Sequence, residues 1–156
     1  MDWKTLFLDA NGRIGQKDFW IGWLIVFAGG LVLGMIPLIG FIASIASIYF
    51  NVCIFSKRLH DFGKTGWLYL APIGVAILGV IIIAVTGGLA VFTASITGND
   101  AAAAGAGVGA MAIAGIVGLA IMVVSIGFLL WVGLTKGDIG ANRYGEPRIQ
   151  PLITFV

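Results

Sequence analysis

Three stretches without a single Asp, Glu, Lys or Arg dominate the chain: residues 19–56, 65–99 and 101–135, of 38, 35 and 35 residues. Short polar segments before, between and after them carry the charges. A helix rises about 1.5 Å per residue, and about 20 apolar residues cross the roughly 30 Å hydrocarbon core of a bilayer. The first stretch is too long for one crossing, and Pro37 with Gly40 divides it near the middle. The pattern predicts a helical hairpin over residues 19–36 and 39–56, a third span over about 67–90 and a fourth over about 108–135. Gly87, Gly88 and the polar group 97–100 read as the connection between the last two. Residues 101–109, rich in Ala and Gly, read equally as a loop, a frayed helix or a close-packing helical extension. The predicted fold class is all-α: a polytopic membrane protein, one integral membrane domain over 1–156 with four transmembrane helices.

Ahead of the first span, Trp3, Leu6, Phe7 and Ala10 recur at helical spacing. They suit either a short amphipathic turn along the membrane surface or an irregular start. Charges at Lys4, Arg13 and Lys17, with Asp2, Asp9 and Asp18, break the apolar core a secretory leader needs, so no cleaved leader is expected.

Composition sharpens this picture. The chain is 60% hydrophobic and 10% charged with a mean hydropathy of +1.07, against roughly 25% charged residues in average soluble proteins. An ordinary water-soluble domain is excluded. The single cysteine, Cys53, rules out an internal disulfide or a cysteine-rich metal site, and the single histidine rules out a multi-histidine one. No cofactor is expected. The net charge of +2 is small, and without a basic helix face or a repeated aromatic platform, nucleic-acid binding is disfavoured.

Charge placement tests the span count independently. Lys4, Arg13 and Lys17 precede the first span, Lys57, Arg58 and Lys64 divide the second from the third, and Lys136, Arg143 and Arg148 follow the fourth. Four spans put all nine on one side, leaving Asp100 as the one charge opposite; three spans would split them, and five would separate the termini. The positive-inside rule then predicts both termini in the cytoplasm. Trp20, Trp67 and Trp131 fall at the same helix ends, where indoles favour the headgroup layer.

No Asp, Glu, Lys, Arg or His lies inside a predicted span, which disfavours coupled transport. Gly40, Ser44, Ser47 and Asn51 form one small, polar face on the second span. Such a face suits close helix packing better than the alternative, the narrow passage of a small oligomeric channel or facilitator. Gly30 with Gly34, Gly105 with Gly109, and Ala110, Ala114 and Gly118 repeat the small-residue spacing, within the bundle or between subunits of a homo-oligomer.

Three polar segments therefore converge on one membrane face: Gly12-Arg13-Ile14-Gly15-Gln16-Lys17-Asp18-Phe19-Trp20, residues 57–67 with Arg58-Leu59-His60-Asp61 and Gly66-Trp67, and residues 137–147 with Asn142-Arg143-Tyr144-Gly145. In these signatures the chain resembles domain-of-unknown-function family 805, small bacterial inner-membrane proteins, over nearly its whole length. Gly15 stands where that pattern usually has Ser or Asn, and Gln16 where a basic residue is common. The resemblance implies a fold and a location, the bacterial inner membrane, but no reaction.

Read physically, Lys57 and Arg58 suit the negative end of the second helix's dipole, and Gly63 and Gly66 permit the reversal into the third. Arg13, Asp61, Asn142 and Tyr144 form a candidate structural knot of charge-assisted hydrogen bonds bridging loop and tails. The competing reading is an anion site, with Arg13, Arg58, Lys64 and Arg143 around the N-termini of the first and third helices. The expected function is non-enzymatic: a basic cytoplasmic face, with Arg13, Arg58, His60, Asp61, Lys64, Asn142 and Arg143 as candidates, binding membrane lipids with anionic headgroups or a protein partner. A membrane-interface enzyme using His60 and Asp61 ranks last, because the chain lacks a nucleophile motif, a phosphate loop or a multi-ligand metal pattern.

Overall fold

The structure, a computed structural model, describes residues 3–146 except the side chain of Asp100. Asp2, Pro147 and Arg148, used above, lie outside the described residues. The order is α1 (Trp3–Leu8), α2 (Gln16–Gly34), α3 (Pro37–Asp61), a 3-10 turn (Gly66–Tyr69), α4 (Leu70–Thr97) and α5 (Asp100–Leu134). Among the described residues, four helices are long and apolar enough to cross a membrane. The protein is an all-α polytopic membrane protein.

Helices α2 and α3 make the expected hairpin. Met35 and Ile36 turn the chain, Pro37 opens α3 where its missing N–H costs nothing, and Gly40 lies close to Gly34, where a Cβ would come within 3.0 Å of the Gly34 Cα. Two boundaries differ from the sequence reading. Helix α3 runs five residues past Ser56, so Lys57, Arg58, His60 and Asp61 stand on a helix rather than in a loop. Its end is a Schellman motif: Lys64 N–H donates to the Leu59 carbonyl at 2.9 Å, Gly63 N–H to that of His60 at 3.1 Å, and Gly63 takes φ +70°. Helix α4 passes through Gly87 and Gly88 to Thr97, leaving only Gly98 and Asn99 before α5, and residues 101–109 are helical. Glycine's helix penalty partly reflects water competing for the backbone, and hydrocarbon offers no such competitor.

The chain divides into two compact units, one made of the chain through Tyr69 and from Leu130 onward, the other of Leu70–Leu129. In the second, Gly79 of α4 admits α5: a Cβ there would sit 2.5 Å from Ile121 Cδ1 and 2.9 Å from Val117 Cγ1. Most of this unit's large apolar side chains are exposed, as a surface solvated by lipid requires.

The first unit holds the core. Phe19, Ile54, Leu59 and Val132 are fully buried, and Phe19 meets Phe55 edge-to-face at 5.1 Å. Helix α1 does form. Its Leu6 is buried between Gly22 and Ile54, Lys57 donates to the carbonyls of Thr5 and Leu6, and Tyr49 OH donates to that of Leu8 at 2.9 Å. One lysine of α3 thus supplies donors to two of the carbonyls left open at the C-terminal end of α1, where the helix dipole also favours a cation.

Candidate functional site

At the polar end of the first unit, α3 places Arg58 and Asp61 one turn apart on the same face. Arg58 is fully buried, and its guanidinium is spent on fixed acceptors. Nη1 donates to Asp61 Oδ2 at 2.5 Å and to the Ile14 carbonyl at 3.3 Å, Nε to the Val132 carbonyl at 3.2 Å, and Nη2 to that of Thr135. Val132 and Thr135 lie at the C-terminal end of α5, where orphan carbonyls concentrate negative partial charge. Gln16 caps the same end, its Nε2 donating to the Leu134 carbonyl at 2.9 Å.

Arg13 reaches the same carboxylate from the other side. Its Nε donates to Asp61 Oδ1 at 3.1 Å, Nη2 to the carbonyls of Asp61 and Asp138 at 3.0 and 2.6 Å, and Nη1 to those of Gly140 and Gly145 at 2.9 and 3.3 Å. Every N–H of Arg13 therefore has a direction to point, and both oxygens of Asp61 are taken by guanidinium groups. One carboxylate serves two cations; the remaining positive charge rests among carbonyl dipoles rather than a second acid. Gly137 packs against the Asp61 carboxylate where a Cβ would collide with it. Asp138 N–H donates to the Asp61 carbonyl at 2.8 Å, completing the clasp.

The tail closes over His60. The Asn142 side-chain amide donates to the His60 carbonyl at 3.0 Å and to Asp138 Oδ2 at 2.9 Å, while Asn142 and Gly145 exchange backbone bonds across a tight turn in which Gly145 takes φ +112°. That turn lays Tyr144 on the His60 ring, centroids 3.7 Å apart and planes 9° from parallel. His60 Nδ1 lies 3.2 Å from the Gly12 carbonyl, a contact that needs the proton on Nδ1. His60 and Asp61 are consequently not a dyad: the carboxylate faces the arginines, the imidazole faces Gly12 and Tyr144. Gly66 lies against α3, where a Cβ would be 2.7 Å from Ser56 Oγ.

The structure brings the candidates together in two groups. Arg13, Arg58 and Asp61 form the buried knot, with His60 and Asn142 beside it. Lys64 and Arg143 stay exposed at its edge, Arg143 donating to the Gly63 carbonyl at 3.2 Å and stacking its guanidinium 4.7 Å from the Tyr144 ring centre. Sequence reasoning missed Asp138, Gly137 and the clamping role of Lys57. The Gly-Asp pair at 137–138 was visible in the late motif, whereas the carbonyl acceptors of both arginines leave no trace in side-chain pattern.

The polar stripe of α3 faces α2. Gly40, Ser44, Ser47 and Asn51 line one wall of a groove of about 340 Å³, opposite Gly30, Gly34 and Trp23. Ser44 donates to its own helix at the Phe41 carbonyl and Asn51 to that of Ser47, both at 2.8 Å.

Four spanning helices and a satisfied polar clasp joining three chain segments define a multi-pass integral membrane protein. The chain matches the family described as Protein of unknown function (DUF805) over residues 31–146 and belongs to it. The matched stretch contains the central and late signatures; the early one precedes it. No curated protein and no solved structure matches the chain.

Proposed function

We propose that the protein is a non-enzymatic component of the bacterial inner membrane whose exposed cations bind anionic lipid headgroups at the cytoplasmic leaflet. The observation carrying this reading is the division of labour among its basic residues. Arg13 and Arg58 are spent on Asp61 and backbone carbonyls, while Lys17, Lys64, Lys136 and Arg143 are exposed on the three segments that the knot ties together. None of these four forms a salt bridge among the described residues. The bonds of Arg13 to both the central segment and the tail favour a topology in which all three polar segments share one side. That supports an even number of crossings, and the positive-inside rule assigns the side.

A basic residue near an anionic membrane surface contributes about 1 kcal/mol each. In nanodiscs of mixed phosphatidylglycerol and phosphatidylcholine, lipids retained on extraction with the protein should be enriched in phosphatidylglycerol. Replacing Lys64 and Arg143 together by Ala should cut that enrichment several-fold without loss of fold. Equal retention of both lipids by the wild type would overturn the reading.

A further inference from the structure

A second groove of the first unit runs along the other side of the α2–α3 contact. It has a volume of about 460 Å³ and is almost wholly apolar, within the roughly 300–1,000 Å³ of small-molecule sites. Its wall on α2 extends from Ile25 to Leu33 past Gly29 and Gly30, and its wall on α3 runs from Ala43 to Phe50. One end is closed by α1, which contributes Trp3, Phe7 and the exposed Lys4. Nothing lies within 4 Å of a Cβ built on Gly29, so missing side chains there help to make the space.

We propose that this groove holds one acyl chain of a membrane phospholipid, its phosphate meeting Lys4. Depth and charge both favour that occupant. At 1.5 Å per residue, Ile25 to Leu33 spans about 12 Å, close to the roughly 15 Å from the edge of the hydrocarbon to the bilayer midplane. The α1 end is the polar end, because Lys57 ties α1 to the turn of α3 that precedes Arg58. A lipid of the leaflet on that side therefore enters with its tail pointing inward and its headgroup level with Lys4 and the indole of Trp3. Trp3 stacks on Phe7 and Phe7 meets Phe50 edge-to-face at 5.5 Å, so α1 forms an aromatic collar at the entrance. This site uses none of the cations of the basic face and does not depend on that proposal.

Native mass spectrometry in mild detergent with dipalmitoyl phosphatidylglycerol tests it. The wild type should retain one lipid per protein copy through detergent washing. Gly29→Leu, which fills the groove into open space, should lower the retained fraction at least tenfold with an unchanged melting temperature, and Lys4→Gln should lower it several-fold. Lys64→Ala with Arg143→Ala should leave this one lipid in place while reducing headgroup enrichment, separating failure of this site from failure of the basic face. No lipid retained by the wild type, equal retention by a folded Gly29→Leu, or a dimer that Gly29→Leu converts to monomer would each overturn the proposal, the last by making a second copy the occupant.

Discussion

Replacing Asp61 by Asn removes the one acid that Arg13 and Arg58 share while keeping its size and one acceptor oxygen. Arg13 and Arg58 have almost no side-chain exposure, and Asp61 has 10%. Losing one partner of a buried ion pair costs about 3–5 kcal/mol, because the partner's charge stays buried. A count of two charged hydrogen bonds at about 1.5–3 kcal/mol each gives a similar range. The expected loss is therefore about 3–5 kcal/mol, softened where the amide oxygen still accepts from Arg58. Equilibrium unfolding in mixed dodecylmaltoside and dodecylsulfate micelles, followed by tryptophan fluorescence, reads it through Trp20, which packs on Gly133 in the same unit. Lys64→Gln, at an exposed position, should change stability by less than about 0.5 kcal/mol. If Arg13 and Asp61 act as one unit, Arg13→Met with Asp61→Asn should cost less than the two changes summed, by about 0.5–3 kcal/mol. A loss below about 1 kcal/mol for Asp61→Asn, or strict additivity in the double variant, would refute the claim that this carboxylate holds the three segments together.

Other outcomes follow from the same contacts. Gly133→Ala on α5 should destabilise by about 1–3 kcal/mol, because its Cβ meets the rings of Trp20 and Phe19, whereas Gly127→Ala, six residues earlier with nothing within 4 Å, should be neutral or slightly stabilising; thermal melts of the two variants check the contrast. Lys57→Met should release the C-terminal carbonyls of α1 and speed tryptic cleavage after Lys4, while the rest of the chain keeps its melting temperature to within a few degrees. The Asp9 carboxyl is held below its ordinary value of 3.8 chiefly by the backbone N–H of Asn11, which donates to Oδ1 at 2.8 Å. A depressed folded value means the turn's added stability is present above the unfolded value and disappears as pH falls through the folded one. The Asn11 amide proton shift should accordingly titrate at a pH below 3.8.

The spans were legible because hydrocarbon tolerates so few charges: three uncharged runs and one proline were enough to place four helices. Their ends were less legible. Charge marked Lys57 as the start of a loop, yet α3 continues to Asp61 because these side chains find partners in α1, in α5 and in one another, and a helix holds them at the required spacing. Gly87 and Gly88 misled in the opposite direction, since part of glycine's helix penalty comes from water competing for the backbone. At the site, Arg13 and Asp61 were expected to meet and do. Arg58 was expected on an anion-binding face and instead lies buried, because its acceptors are main-chain oxygens of α5 and of Ile14. Asn142 and Tyr144 were expected to join the charged network: Asn142 does so through the carboxylate of Asp138 and the carbonyl of His60, while Tyr144 stacks on the His60 ring.

The clasp around Arg13 also sets an order of assembly. Arg13 leaves the ribosome well before its acceptors at Asp138, Gly140 and Gly145, which follow it by 125, 127 and 132 residues. Until α5 has been threaded through the bilayer, two arginines and an aspartate must wait hydrated at its surface. Closure of the clasp therefore reports that α5 has been inserted, and a nascent chain halted before residue 138 would keep that end open.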